Sequence, residues 1–162
     1  ISAGSPIVET PIEEWRRVMR VNLDGSFLAL KHGLAKVGEG GSVVLIGSAS
    51  GTKAPAGAAA YACSKAAVAM LAKVAALEMK ARKIRVNLLS PAGVVTPMWQ
   101  TMGFFQDLVR ETGSEMAAYA ALGGAEPEKH PLERMAFAGE IAEAVLFLLG
   151  DASRGITGHE LR

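Results

Sequence analysis

Two short runs rich in β-branched and leucine residues, SVVLIGSAS from Ser42 and IRVNLLSPAG from Ile84, each run out into glycine, serine or proline. Strands that are apolar along their length suit a parallel sheet covered on both faces. Parallel neighbours cannot be joined by a tight turn, so the chain between them has to cross over. Ala58 to Met79 is rich in alanine and carries apolar residues at helical spacing, as a crossover helix would. The alternation extends in both directions. ISAGSPIVET reads as the tail of a strand entering a loop. The next stretch predicts one long amphipathic helix: a cap at Thr10, Pro11 at the first helical position, Glu13 and Glu14 in the first turn, and Trp15, Val18, Met19 and Leu23 on one face. Near the other end GEIAEAVLFLLG predicts a last helix, and GITGHELR the start of a further strand. The fold class is α/β with a parallel sheet.

Between these elements lie short helical pieces broken at Gly103, Gly113 and GGAEP, which read as a lid or insertion at about 97–130 of a single domain spanning 1–162. At 162 residues one compact domain is affordable and two are not. Half the residues are apolar and the net charge is +1, which argues against disorder and against nucleic acid as a partner. The longest purely apolar runs fall well short of the roughly 20 residues that span a bilayer, so no membrane is expected. Cys63 is the one cysteine, and no secretory signal is visible, which together point to a reducing cytoplasm.

The candidate chemistry begins at Tyr61 and Lys65. On a helix these positions share a face, and an ammonium close to a phenol favours the phenolate, which would make the tyrosine a usable acid or base. Taken alone, the pair is equally a packed tyrosine beside a solvated lysine. Ser48 adds weight, because it stands at the carboxyl end of the first buried run, where open α/β sheets bind ligands. It too has a plain reading, as a residue that simply ends a strand. Asn22 could bond only its own backbone, and Thr96 could be only a loop residue before proline.

GSASG followed by YACSK, with the serine thirteen residues before the tyrosine, resembles the short-chain dehydrogenase/reductase family. VNLDGSF resembles the family segment with a structural and catalytic asparagine, SPAGVVTPM its loop under the nicotinamide, and the EIAEAVLFLLGDAS and ITG stretches its carboxyl-terminal helix and strand. The resemblance implies a Rossmann-like doubly wound sheet and hydride transfer between NAD or NADP and an alcohol or carbonyl. It implies that Tyr61 exchanges the substrate proton, that Ser48 hydrogen-bonds the substrate oxygen, and that Lys65 supports Tyr61 and binds the ribose. It further implies that Asn22 holds a water in a proton relay, that Thr96 and the backbone at Val94 contact the nicotinamide carboxamide, and that Pro91 lies in the loop under the nicotinamide. ISAG stands where the family has Asn-Asn-Ala-Gly, so Ala3 and Gly4 would also border the cofactor.

The resemblance reaches only the carboxyl-terminal portion of the family. The glycine-rich turn for the pyrophosphate is not in this sequence, since the glycines of GEGG precede a strand instead of following one. The residues that separate NAD from NADP belong to the same amino-terminal half. A partial record of a longer protein is therefore expected; the alternative is a catalytically inactive association module. Ala92 stands where the family usually has glycine, and Ala138 and Gly139 replace a usual proline and glutamate, weakening the start of the last helix.

Met98, Trp99, Met102, Phe104 and Phe105 would form either an apolar pocket for a small hydrophobic alcohol or ketone, or the packing under the lid. His32, His130 and His159 show no metal-ligand spacing. By resemblance a homodimer or homotetramer forms through the two long helices, from Trp15 to Leu34 and from Tyr61 to Met79.

Overall fold

The computed structural model describes residues 1–124, 132 and 134–162. The GGAEP break beyond Gly124, His130 and the far end of the expected insertion lie outside the described residues. The chain divides into two compact units, one of residues 1–91 and 144–162, the other of 92–143.

The first unit is built on a three-stranded sheet in the order β1 (Ser42–Ile46), β2 (Arg85–Leu89), β5 (Glu160–Leu161), every pair parallel. β1 and β2 run in register from Ser42 opposite Arg85 to Ile46 opposite Leu89, joined by the crossover helix α3 (Ala59–Glu78) that the alanine-rich stretch predicts. The face of α3 against the sheet is small. Ala60, Ser64, Val68, Ala72, Ala75 and Ala76 are all buried there, which lets the helix axis come close to Val86 and Leu88 of β2. Each branched side chain fully removed from water adds roughly 1.5–3 kcal/mol to the stability of this core. α3 has the length and hydropathy of a bilayer span by composition, but this packed face makes it the core helix of the sheet.

The long amphipathic helix forms with an interruption. α1 (Ile12–Met19) passes into a π-helical stretch, Arg20–Asp24, and then into α2 (Gly25–Gly33), with the Gly25 N–H reaching back to the Arg20 carbonyl. One extra residue per turn re-aims the side chains that follow, and it places polar Asn22 among the buried residues. Thr10 is not its cap. The helix starts after Pro11, and the Thr10 hydroxyl instead bonds Ser5 Oγ at 2.8 Å and the Pro6 carbonyl at 2.9 Å. Nor do residues 1–6 form a strand: Ile7–Glu9 is a short 3-10 turn, and the Ser5 N–H bonds the Gly57 carbonyl.

β1 departs from the expectation of burial on both faces, for Leu45 is buried whereas Ile46 is 47% exposed. Two arginines tie helix ends to the sheet. Arg82 donates to the Leu34 and Val37 carbonyls beyond α2, and Arg85 donates to Leu148, Leu149 and Gly150 at the end of α6 (Ala138–Leu149), where a cation also meets the negative end of the helix dipole. Buried Asn87 fixes the approach to β5, donating to the Ile156 carbonyl and accepting from the His159 N–H.

The second unit holds a two-stranded parallel pair, β3 (Val94–Val95) with β4 (Ala136–Phe137), and two short helices, α4 (Gly103–Thr112) and α5 (Glu115–Gly124). Its core is Phe105, Ala118, Tyr119 and Met135, with Trp99, Met102 and Leu108 against it. The β3–β4 pair is too short to carry a period in the sequence. α6 starts better than its sequence suggests: the Glu140 carboxylate accepts the Phe137 N–H at 2.8 Å and pairs with Arg134, taking over the role of a cap.

Candidate active site

Strand β1 ends at Ile46, and the chain turns at once over α3. Gly47 lets the chain pass close to β2 there, because a Cβ would land on the Ser90 Oγ and lie 3.0 Å from Leu88 Cδ2. Ser48 follows with an extended backbone and caps a 3-10 turn, Ala49–Gly51. Its Oγ accepts the Ser50 N–H at 3.2 Å. That bond fixes the oxygen while leaving the hydroxyl proton to be donated elsewhere. Gly51 lets the turn lie on α3, since a Cβ would be 3.0 Å from the Ala66 nitrogen. The Ala49 N–H bonds the Pro91 carbonyl at 2.9 Å, so the Ser48 segment and the end of β2 hold one another.

Tyr61 and Lys65 lie one turn apart at the start of α3, both half-buried. The Lys65 Nζ sits 5.8 Å from the centre of the Tyr61 ring and donates to the Ile46 carbonyl at 3.0 Å. Among the described residues this is its one hydrogen bond, and an ammonium has three donors, so two remain for a ligand. Burial lowers the Lys65 pKa from the ordinary lysine value.

Asn22 reaches the same turn from the π-helical stretch. Its Nδ2 donates to Ser64 Oγ at 3.0 Å and to the Ile1 carbonyl at 2.9 Å, its Oδ1 accepts from the Ile1 nitrogen, and Ser64 donates to the Tyr61 carbonyl at 2.7 Å. The Asn22 carbonyl accepts from Ser26 Oγ at 2.6 Å. Ser64, fully buried between Asn22 and Tyr61, is the residue that sequence reading missed. Its signal was a lone hydroxyl on the alanine face of α3. Ala3 is half-buried and Gly4 exposed, in the irregular segment that meets the Gly57 loop.

In the second unit, Val94 and Thr96 are half-buried on and beside β3. The Trp99 indole N–H donates to the Val94 carbonyl at 2.8 Å, and the Tyr119 hydroxyl donates to the Thr96 carbonyl at 3.0 Å. Tyr119 is buried, and burial raises its pKa. Of the five apolar residues that could line a pocket, Phe105 is core and Trp99 and Met102 pack on that core, whereas Met98 and Phe104 are exposed.

Residues 1–162 match, end to end, the family described as Enoyl-(Acyl carrier protein) reductase. The vibriobactin-specific 2,3-dihydro-2,3-dihydroxybenzoate dehydrogenase of Vibrio cholerae is 37% identical over 161 residues, covering 98% of this chain and 59% of that protein. Among solved structures, a short chain dehydrogenase family protein from Francisella tularensis aligns with a TM-score of 0.83 at 32% identity, over 98% of this chain and 63% of its own. The ligand-free aldohexose dehydrogenase of Thermoplasma acidophilum gives 0.84 at 31%, over 99% and 62%. The chain thus spans about three fifths of the length of these relatives.

Proposed function

The chain belongs to the short-chain dehydrogenase/reductase family, and from that membership we propose that it works as a nicotinamide-dependent oxidoreductase on an alcohol or carbonyl substrate. The observation that carries the reading is the Lys65 ammonium 5.8 Å over the Tyr61 ring, with two uncommitted donors; at the end of β1, to which Lys65 is bonded, Ser48 follows with a hydroxyl proton free to be given. This donor set fits a nicotinamide riboside, whose ribose hydroxyls need donors and whose reaction partner needs an acid or base. The cofactor, NAD or NADP, would supply the hydride acceptor or donor.

The remaining work falls to the chain. Tyr61 Oη exchanges the proton with the substrate oxygen, with the Lys65 ammonium one helical turn away. Ser48 Oγ donates to the same oxygen and stabilises charge developing there in the transition state. Lys65 Nζ binds the ribose. Asn22 has its amide protons committed to Ile1 and Ser64 and accepts from the Ile1 nitrogen, which leaves one lone pair of its Oδ1 to hold a relay water. The Val94 backbone and Thr96 take the carboxamide, with Pro91, Ala3 and Gly4 at the cofactor's border.

The relatives named above act, by their names, on a dihydrodiol and on an aldohexose. An alcohol and its carbonyl are the shared chemistry, and the exposed Met98 and Phe104 suit a substrate with an apolar side. Val21, Phe27 and Leu28 on one long helix, and Met70, Val74 and Leu77 on the other, are exposed apolar side chains, which supports a homodimer or homotetramer through these helices. Titrating the full-length protein with NADH and NADPH by fluorescence tests the reading. Saturable binding of one of them is expected, and binding of neither sinks the proposal.

A further inference from the structure

The apolar residues after β3 invite a substrate pocket, yet three of them do something more specific. Trp99, at the start of the lid segment, and Tyr119, in α5, each turn their one side-chain donor back onto β3, toward two carbonyls separated by a single residue, those of Val94 and Thr96. Both rings are then locked from behind. Phe105 is buried against each, 6.3 Å from the Trp99 ring and 4.7 Å from the Tyr119 ring, centre to centre. A buried hydroxyl or indole N–H without a partner would be costly, so the aromatic core sets the position of the strand as much as the strand satisfies the aromatics.

We propose that Trp99 and Tyr119 are positioning residues for the cofactor, holding the Val94–Thr96 backbone at the register that reads the nicotinamide carboxamide. The proposal deepens the oxidoreductase reading and rests on it. The carbonyls are each taken from one side by an aromatic donor, so the segment presents a fixed set of remaining backbone groups and the Thr96 side chain. The carboxamide is the one part of the nicotinamide ring that both donates and accepts, and it is the part a rigid extended backbone can distinguish from a ketone. The lid core and the cofactor strand are on this view one device: ordering of the lid orders the carboxamide contact.

The test compares the natural dinucleotide with its 3-acetylpyridine analogue, in which a methyl group replaces the carboxamide NH2. Full-length wild type, Trp99→Phe and Tyr119→Phe are titrated with both and the dissociation constants read by isothermal titration calorimetry, alongside thermal melts to verify folding. Each substitution keeps a ring in the core and deletes one donor. The expected result is a rise in the dissociation constant of the natural cofactor of about three- to tenfold, with that of the analogue changed less than about twofold. Equal losses with both cofactors would reduce the bonds to support of the fold and overturn the proposal, as would no change with either. Wild type that treats the two cofactors alike would show that the strand does not read the carboxamide. Wild type that binds no dinucleotide would instead remove the oxidoreductase reading, and this proposal with it.

Discussion

The Asn22 Nδ2 donates to the Ser64 Oγ, 3.0 Å away and 42 positions later in the chain, and Ser64 hands on a bond of 2.7 Å to the carbonyl of Tyr61. The π-helical stretch and the first turn of α3 are thereby joined through one buried hydroxyl that is both acceptor and donor. Ser64→Ala removes both bonds and leaves an amide donor of Asn22 buried without a partner. A loss of about 1–3 kcal/mol in unfolding free energy is expected by urea denaturation. Because the two residues share the bond, Asn22→Ala combined with Ser64→Ala should cost less than the sum of the single changes by at least about 0.5 kcal/mol. Strict additivity would mean that the bond does not form.

Tyr61→Phe deletes the proton-carrying oxygen and keeps the ring beside Lys65. In the full-length protein turnover should fall about 10²- to 10⁴-fold while the dinucleotide dissociation constant stays nearly unchanged. Lys65→Met should lower turnover and raise that dissociation constant, because the ammonium serves cofactor and phenol alike. Retained turnover in Tyr61→Phe would exclude it as the acid or base.

What sequence could and could not convey follows from how far each signal reaches. The β1–α3–β2 crossover was legible because its signals are local: apolar runs of strand length and an alanine-rich helix between them. Tyr61 and Lys65 were legible for the same reason, both lying on one helical turn. The helix at Asn22 was read as continuous, since a π-helical stretch is decided by what the extra residue can reach, here Ser64 and Ile1, and not by any local periodicity. Thr10 fits the pattern of a cap, yet Ser5 and Pro6 offered its hydroxyl nearer partners. The β3–β4 pair and the Glu140 clasp on α6 depend on residues far along the chain or on Arg134, and no spacing rule announces them.

Gly47 stands between the end of β1 and Ser90, with no room for a side chain. Gly47→Ala should lower stability by about 1–3 kcal/mol, the usual cost of overpacking. Ser90→Ala in the same chain removes the atom most directly in the way and should recover part of that loss, although Leu88 Cδ2 at 3.0 Å remains. Thermal melts of the two single variants and the double variant decide the matter: no recovery in the double variant would place the strain at Leu88 and not at the Ser90 hydroxyl.

The Glu140 carboxyl is held at about 2, chiefly by the bond from Arg134 at 2.7 Å and next by the Phe137 N–H at 2.8 Å. In the unfolded chain the same group takes up its proton near about pH 4.3. Between those values the unfolded state binds more protons than the folded one, so falling pH draws the equilibrium toward unfolding. The stabilisation is therefore complete above the unfolded value and is lost as pH falls from about 4 toward 2. Glu140→Gln cannot carry the charge, so its unfolding midpoint should be lower than wild type at pH 7, with the gap closing between about pH 4 and 2. The pair is exposed, and added salt should narrow the gap at pH 7 as well. Melting curves of both proteins from pH 7 to 2.5 read this directly. Parallel curves across the whole range would mean that Arg134 and the Phe137 N–H do not grip the carboxylate, and that the start of α6 is held by something else.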